Sequence, residues 1–254
     1  MGRYDFEIQE IKERIANSDN VVFFGGAGVS TDSGIPDFRG SQGLYQVDEN
    51  DDESPQDKEY LMSNICLHRE PDKFFEFYHN HIAHPYAQPN EAHEILAQME
   101  ADGVLRAVIT QNIDNLHQKA GSKQVFELHG TCDRWYCISC GKKYTKSEID
   151  ATTGIPRCSH CNGIIRPDIT LYGEGLDGTV FDEAAELIAE ADVLIVGGTS
   201  LTVHPAASLV QEYLGDCMVI INQTPTPYDG IADYVIQDSL SDVLREIYSG
   251  MDEF

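Results

Sequence analysis

Short apolar runs alternate along the chain with segments whose apolar residues recur every three or four positions. The runs predict β-strands at residues 21–24, 105–110, 124–128, 193–196, 218–221 and 234–236. The spaced pattern predicts amphipathic helices around residues 8–15, 92–99, 181–188 and 240–247. This alternation is typical of the α/β class and predicts a Rossmann-like parallel sheet with helices on both faces.

Polar or glycine-rich residues directly follow several of the predicted strands. These groups are residues 111–114, 129–130, 197–200 and 222–223. The carboxyl ends of parallel strands lie at one edge of a sheet, and ligands bind there in open α/β folds. We therefore expect the four groups to line a single crevice.

The first predicted strand ends in a glycine-rich turn, FGGAGVS at residues 24–30. Glycines allow backbone N–H groups to approach a ligand closely. We expect a helix to begin near Ser30, so that an anion could rest at its N-terminus. Thr31 stands where the usual dinucleotide-binding pattern G-x-G-x-x-G has its third glycine. The more specific feature is the continuation GIPDFR at residues 34–39, which ordinary dehydrogenases lack.

Two segments interrupt the alternation of strands and helices. Residues 41–89 are polar, with an acidic run at 48–53 that we interpret as a solvated loop, and with a helical pattern at Phe74, Phe75 and Tyr78. Residues 131–167 carry five of the seven cysteines, four of them in two close pairs. We predict a main nucleotide-binding domain at 1–40, 90–130 and 168–254, and a small domain for the rest. In that small domain, 41–89 is a flexible cofactor loop with a helical part, and 131–167 is a metal-binding module.

The four clustered cysteines form two C-x-x-C pairs, Cys137 with Cys140 and Cys158 with Cys161, separated by 17 residues. This spacing suits two knuckles that close on one tetrahedral zinc ion. Four thiolates leave no open coordination position, so the zinc would be structural. A redox-active C-x-x-C is the alternative, and His160 could replace one cysteine as a ligand.

The formal net charge of −26 over 254 residues repels phosphate backbones and anionic lipids. We therefore expect no direct binding of nucleic acid or membrane, and an attraction for basic, lysine-rich segments. Solubility or a salty habitat explains the charge equally well. No apolar leader precedes the first helix and no run is long enough to cross a bilayer, so we expect a cytoplasmic, reducing location.

Taken together, these motifs resemble those of the sirtuins, the NAD-dependent protein lysine deacylases, in their compact bacterial form. The resemblance extends over roughly residues 6–247, with the signatures in the order of the family. Besides the paired cysteines they are GAGVSTDSGIPDFRG at 26–40, TQNIDNLHQKAG at 110–121, ELHG at 127–130, GTSLTVHPAA at 198–207 and IINQTPTPYD at 220–229.

The resemblance implies a role for each matching position. Catalysis would fall to His129 as general base, with Asn112 and Asp114. The co-substrate NAD would be bound by Gly26, Ala27, Gly28, Thr31, Asp37, Phe38, Arg39, Gln111, Asn112, Ile113, Asp114, His129, Gly198, Thr199, Ser200, Asn222, Gln223 and Asp238.

The implied reaction converts acyl-lysine and NAD to lysine, nicotinamide and O-acyl-ADP-ribose. The partners would be acylated-lysine proteins or peptides, which would lie extended near residues 169–174 and 203–205. Tyr78 resembles the acyl-pocket tyrosine of sirtuins that remove acidic acyl groups, but the partner arginine is His81 here. Without that cation a carboxylate loses its bidentate partner, so we expect acetyl or another neutral acyl group. The sequence also departs from the family pattern at Thr170, Gly175 and Asp177. These departures bear on the acyl preference and on the register of the peptide, not on the binding of NAD.

Other interpretations stay open at this point. His129 could be a capping or core histidine, and Asp114 could serve only as a helix N-cap. We expect solvated helix or loop positions for His93, His117 and the group His79, His81 and His84. As a whole, the chain could instead be a mono-ADP-ribosyltransferase or a non-catalytic sensor of NAD or ADP-ribose.

Overall fold

Nine strands form two sheets in the computed structural model, which describes residues 3–38, 40, 43, 44, 54–150 and 154–249. The strands are β1 (Val21–Gly25), β2 (Leu105–Thr110), β3 (Val125–Glu127), β4 (Gly130–Cys137), β5 (Lys143–Thr145), β6 (Ile165–Ile169), β7 (Val193–Gly197), β8 (Met218–Ile221) and β9 (Tyr234–Ile236). The larger sheet is wholly parallel, in the order β3-β2-β1-β7-β8-β9. These are the six strands predicted from the apolar runs, and the prediction is confirmed.

Nine α-helices accompany the sheets in the described residues. They are α1 (Asp5–Ala16), α2 (Pro55–Leu61), α3 (Asn64–Arg69), α4 (Pro71–Phe77), α5 (Glu91–Ala101), α6 (Leu116–Ala120), α7 (Lys146–Asp150), α8 (Gly178–Ala189) and α9 (Leu240–Tyr248). The apolar sides of α1, α5 and α9 pack on one face of the parallel sheet, against Val21 and Phe23. Helix α8 and the 3-10 helix Ala206–Glu212 pack on the other face, against Val22 and Phe24. The predicted α/β fold with helices on both faces is therefore confirmed.

Strand β1 lies near the centre of the parallel sheet, with β2 on one side and β7 on the other. The chain therefore leaves the carboxyl ends of β1 and β7 toward opposite edges of the sheet. This reversal creates a crevice that is not filled by a crossover connection. The glycine-rich turn after β1 opens directly into it.

The helix predicted to begin near Ser30 is not formed, and this prediction is wrong. Two 3-10 turns, Ala27–Val29 and Thr31–Ser33, take its place. Ser30 interrupts them with φ −101° and ψ 2°, and Gly34 ends the second with φ 80° in the left-handed region. A single 3-10 turn has only a small dipole, so an anion here would be bound by local N–H groups and not by a helix N-terminus.

The second sheet is antiparallel, in the order β5-β4-β6, and carries the paired cysteines. It shares an apolar core with α2, α3 and α4 that includes Phe74, Phe75, Trp135, Ile165 and Leu171. The helical pattern expected at residues 74–78 is confirmed by α4 and by one following π-turn, Tyr78–Ile82. The acidic run at 48–53 lies outside the described residues. Among those that are described, no helix is long and apolar enough to cross a bilayer.

Candidate functional site

A cleft of about 500 Å³ lies at the carboxyl ends of the parallel strands, between this sheet and the smaller one. Thirteen of the residues predicted to bind the co-substrate line it. They are Ala27, Gly28, Asp37, Phe38, Gln111, Asn112, Ile113, Asp114, His129, Gly198, Thr199, Ser200 and Asn222. The expectation that four strand ends converge on one crevice is therefore confirmed.

Four further predicted residues, Gly26, Thr31, Gln223 and Asp238, are not part of the lining of this cleft. The hydroxyl of Thr31 donates to the carbonyl of Gly28 at 3.0 Å, which places its side chain in support of the turn. Arg39 lies outside the described residues. Contact with a nucleotide stays a prediction for all eighteen residues.

The glycines of the turn allow two loops to touch through their backbones. The N–H of Gly28 donates to the carbonyl of Gly198 at 2.8 Å. A Cβ on Gly28 would lie 2.8 Å from that oxygen, and a Cβ on Gly198 would lie 2.5 Å from the nitrogen of Val29. Gly198 also has φ 59°, in the left-handed region. We expected these glycines to let the backbone approach a ligand, and in the structure they let the two loops approach each other.

His129 follows β3 and is fixed by a hydrogen bond from its Nδ1 to the carbonyl of Gln111, at 2.8 Å. A carbonyl only accepts, so Nδ1 carries the proton in the neutral ring and Nε2 keeps its lone pair. Burial lowers the pKa of His129 below its ordinary value, and the Gln111 carbonyl acts in the opposite direction. The ring is thus a neutral proton acceptor held at the edge of the cleft.

The carboxylate of Asp114 has a different partner on each oxygen. Oδ1 accepts from the N–H of Leu116 at 2.9 Å, although the N-cap position of α6 is Asn115 and not Asp114. Oδ2 accepts from the hydroxyl of Ser30 at 2.6 Å. The same hydroxyl accepts from Nδ2 of Asn112 at 3.1 Å. Ser30 therefore links the glycine-rich turn to both polar residues after β2, a contact that the sequence analysis missed.

His93 and His117 are fully buried behind this network, and the expectation of solvated positions for them is wrong. The ring centroids of the two histidines are 4.7 Å apart, and Nε2 of His93 is 3.5 Å from the Ser30 hydroxyl. Burial lowers the pKa of His93 to about 4 and that of His117 to about 3. His93 is three residues from the predicted core position Leu96, and this helical spacing is the signal that could have shown its burial. The solvated positions expected for His79 and His81 are confirmed.

Residues 169–174, which begin at the last residue of β6, also line the cleft. Arg166, only 2% exposed, donates from both terminal nitrogens to the carboxylate of Glu174, at 2.5 and 3.0 Å. Glu174 also accepts from the N–H of Leu171 at 2.9 Å. Tyr172 exchanges backbone hydrogen bonds with Met62 and Asn64, which ties the segment to α3. Val203 and Pro205 line the cleft opposite it.

The four predicted metal ligands meet at one point, with all four sulfur atoms within 4.8 Å of one another. The Sγ atoms of Cys137 and Cys161 are 3.5 Å apart, and those of Cys140 and Cys158 are 3.6 Å apart. Zinc–sulfur bonds of about 2.3 Å in a tetrahedron place the sulfurs about 3.8 Å apart, so the cluster can hold one structural zinc ion.

Comparisons with known proteins agree with this geometry. The family model described as "Sir2 family" matches residues 26–205. An NAD-dependent protein deacetylase of Clostridium acetobutylicum is 47% identical over 95% of this chain and 98% of its own. One of Clostridium perfringens is 48% identical over 96% and 99%. A solved structure titled "Sir2-p53 peptide-NAD+" is 38% identical over 97% of this chain and 98% of its own, with a TM-score of 0.81.

Proposed function

Because the chain belongs to the Sir2 family, we propose that it is an NAD-dependent protein lysine deacylase, with acetyl-lysine as its substrate. It converts acyl-lysine and NAD to lysine, nicotinamide and O-acyl-ADP-ribose. The observation that carries the proposal is the state of His129: its Nδ1–H is bound to the Gln111 carbonyl, and its Nε2 is free to accept a proton in the cleft.

The residues around the cleft suit a dinucleotide. Gly28 and Ala27 form a turn without bulky side chains, and Ser200 and Asn222 also line the cleft. NAD supplies an activated bond between ribose and nicotinamide. The chain itself supplies the polar pocket of Asn112 and Asp114, which we assign to the nicotinamide end.

We assign His129 as the general base that accepts the proton of a ribose hydroxyl at Nε2. Such positioned proton transfer contributes about 10²- to 10⁴-fold in rate. Because its pKa is lowered, the ring stays neutral at pH values at which an ordinary histidine is protonated. The acid limb of kcat/KM against pH, which reports the free enzyme, is therefore expected below about pH 6.5.

We place the acylated peptide in extended form between residues 169–174 and Val203–Pro205 across the cleft. The backbone ties of Tyr172 to α3 and the Arg166–Glu174 pair keep this edge fixed. Tyr78 is 2% exposed and packs edge-on against Trp135 at 5.5 Å, while His81 is exposed and lies 4.7 Å from Phe77. This apolar setting for Tyr78 supports a neutral acyl group over a dicarboxylic one.

The test compares acetyl-lysine and succinyl-lysine peptides of one sequence, with NAD, by mass spectrometry and nicotinamide release. We expect release only with an acylated peptide, and faster turnover of the acetyl form. Release without peptide would favour the mono-ADP-ribosyltransferase or a simple NAD hydrolase. No release at all would favour the sensor.

The matched variant is His129→Ala, assayed beside the wild type. We expect loss of deacetylation with the dissociation constant for ADP-ribose changed less than about threefold, since the backbone of the turn is untouched. Full turnover in this variant would refute the assignment of the base.

A further inference from the structure

One lysine of the small domain is buried beside the cleft without lining it. Lys58, in α2, is 5% exposed, although lysine is almost never fully buried unless it is paired. Its Nζ donates to the backbone carbonyl of Leu44 at 2.9 Å.

Leu44 is held at three points. Its carbonyl accepts from Lys58, its N–H donates to the carbonyl of Asp37 at 2.7 Å, and its side chain packs on the core around Phe74. Asp37 in turn accepts at Oδ1 from the N–H of Gly40 at 2.9 Å. The contact from Lys58 therefore reaches, through Leu44, the backbone of Asp37.

Asp37, Phe38, Gly40 and Leu44 all line the cleft on the side of the glycine-rich turn. Their backbone carries no regular secondary structure, so its position depends on hydrogen bonds such as these. Lys58 belongs to the small domain, while the turn belongs to the parallel sheet. The hydrogen bond from Lys58 thus connects this part of the cleft lining to α2.

We propose that Lys58 is a positioning residue for nucleotide binding, which holds Leu44, and through it Asp37, in the positions that accept NAD. The inference rests on the proposed function, because it assigns NAD to this cleft. A protein whose binding-competent state is only partly populated binds its ligand more weakly by that fraction. Without Lys58 the competent state is populated less, and the chemical step that follows binding is unchanged.

The test is Lys58→Met, which keeps the length and apolar stem of the side chain and removes its charge and donors. We expect the KM for NAD to rise about tenfold, with kcat and the KM for acetyl-peptide within twofold. The matched control is Lys73→Met in α4, whose exposed ammonium pairs with Glu70, and it should leave all three constants unchanged. Hydrogen exchange at the Leu44 amide should become faster in Lys58→Met only.

An unchanged KM for NAD in a folded Lys58→Met protein, or a fall in kcat alone, would overturn the proposal. Should this variant not fold, Lys58→Gln keeps a donor and should show the same split with a smaller rise. Failure of both to fold would also overturn it, since Lys58 would then serve the fold itself. ADP-ribose binding by calorimetry separates this question from the reaction: if the wild type binds ADP-ribose but removes no acyl group, the proposed function fails while the Lys58 comparison still stands.

Discussion

His117 makes the stability of this fold depend on pH. Its side chain is 1% exposed, and neither ring nitrogen has a hydrogen-bond partner among the described residues. Burial, and then the neighbouring His93, lower its pKa from 6.5 to about 3. Below pH 6.5 the unfolded chain binds a proton at this position that the native state does not bind. Stability therefore falls as the pH falls, and the loss continues until the native ring itself titrates.

The size of this effect follows from the two pKa values. Between about pH 7.5 and about pH 5, a histidine with a pKa of 6.5 unfolded and about 3 folded loses about 2 kcal/mol of stability. His117→Leu removes this loss, because leucine does not titrate. It also removes two buried nitrogens without partners, which should stabilise the protein at pH 7.5 by about 1 kcal/mol.

The assay is urea unfolding of the wild type and His117→Leu at both pH values. We expect the difference in unfolding free energy between the two proteins to grow by about 2 kcal/mol from pH 7.5 to pH 5. His68→Leu, at an exposed position in α3, is the control and should follow the wild type. An equal difference at both pH values would show that His117 is not a buried neutral ring.

Two further substitutions test the walls of the cleft. Glu174→Gln leaves the buried guanidinium of Arg166 without its charged partner. We therefore expect the free energy of unfolding in urea to fall by about 3 kcal/mol and the KM for peptide to rise. The control is Glu91→Gln, in an exposed ion pair, which should cost under about 1 kcal/mol. A stability loss no larger than the control's would contradict the structural importance of the pair. Gly28→Ala forces two backbones apart and should weaken ADP-ribose binding about tenfold in calorimetry. The control is Gly178→Ala, whose added methyl group meets nothing within 4 Å and should leave binding unchanged. Tight binding by Gly28→Ala would refute the contact.

The main sheet could be predicted from the sequence because its strands are buried on both faces. Such strands appear as short, continuous apolar runs, and each of the six is separated from the next by a helix or a long connection. The antiparallel strand β4 gave no such signal. It carries Asp133 and Arg134 at its middle, and its register with β6 shifts between Thr131 and Trp135, so no regular alternation of polar and apolar residues survives.

The sequence predicted which loops form the site, but it did not predict the contacts between them. The glycine spacing indicated a close approach, yet only the structure shows that the partner of Gly28 is Gly198, about 170 residues away. The burial of His93 was missed because a histidine in a helix is compatible with either solvent or core. Asn90 caps α5, and its backbone N–H donates to Nδ1 of His93 at 3.3 Å, which fixes the direction in which the ring points.

The loops at the cleft are joined to one another by the residues that face it. Gly28 donates to Gly198, Nε2 of Gln111 donates to the hydroxyl of Thr199 at 3.0 Å, and Ser30 donates to Asp114. These contacts lie within the protein itself, and they connect the loops that line the cleft. A substitution at such a position is expected to change both stability and affinity, whereas one at His129, the proposed general base, is expected to change the reaction most. The ratio of the two effects in a variant therefore separates residues that build the cleft from those that act in it.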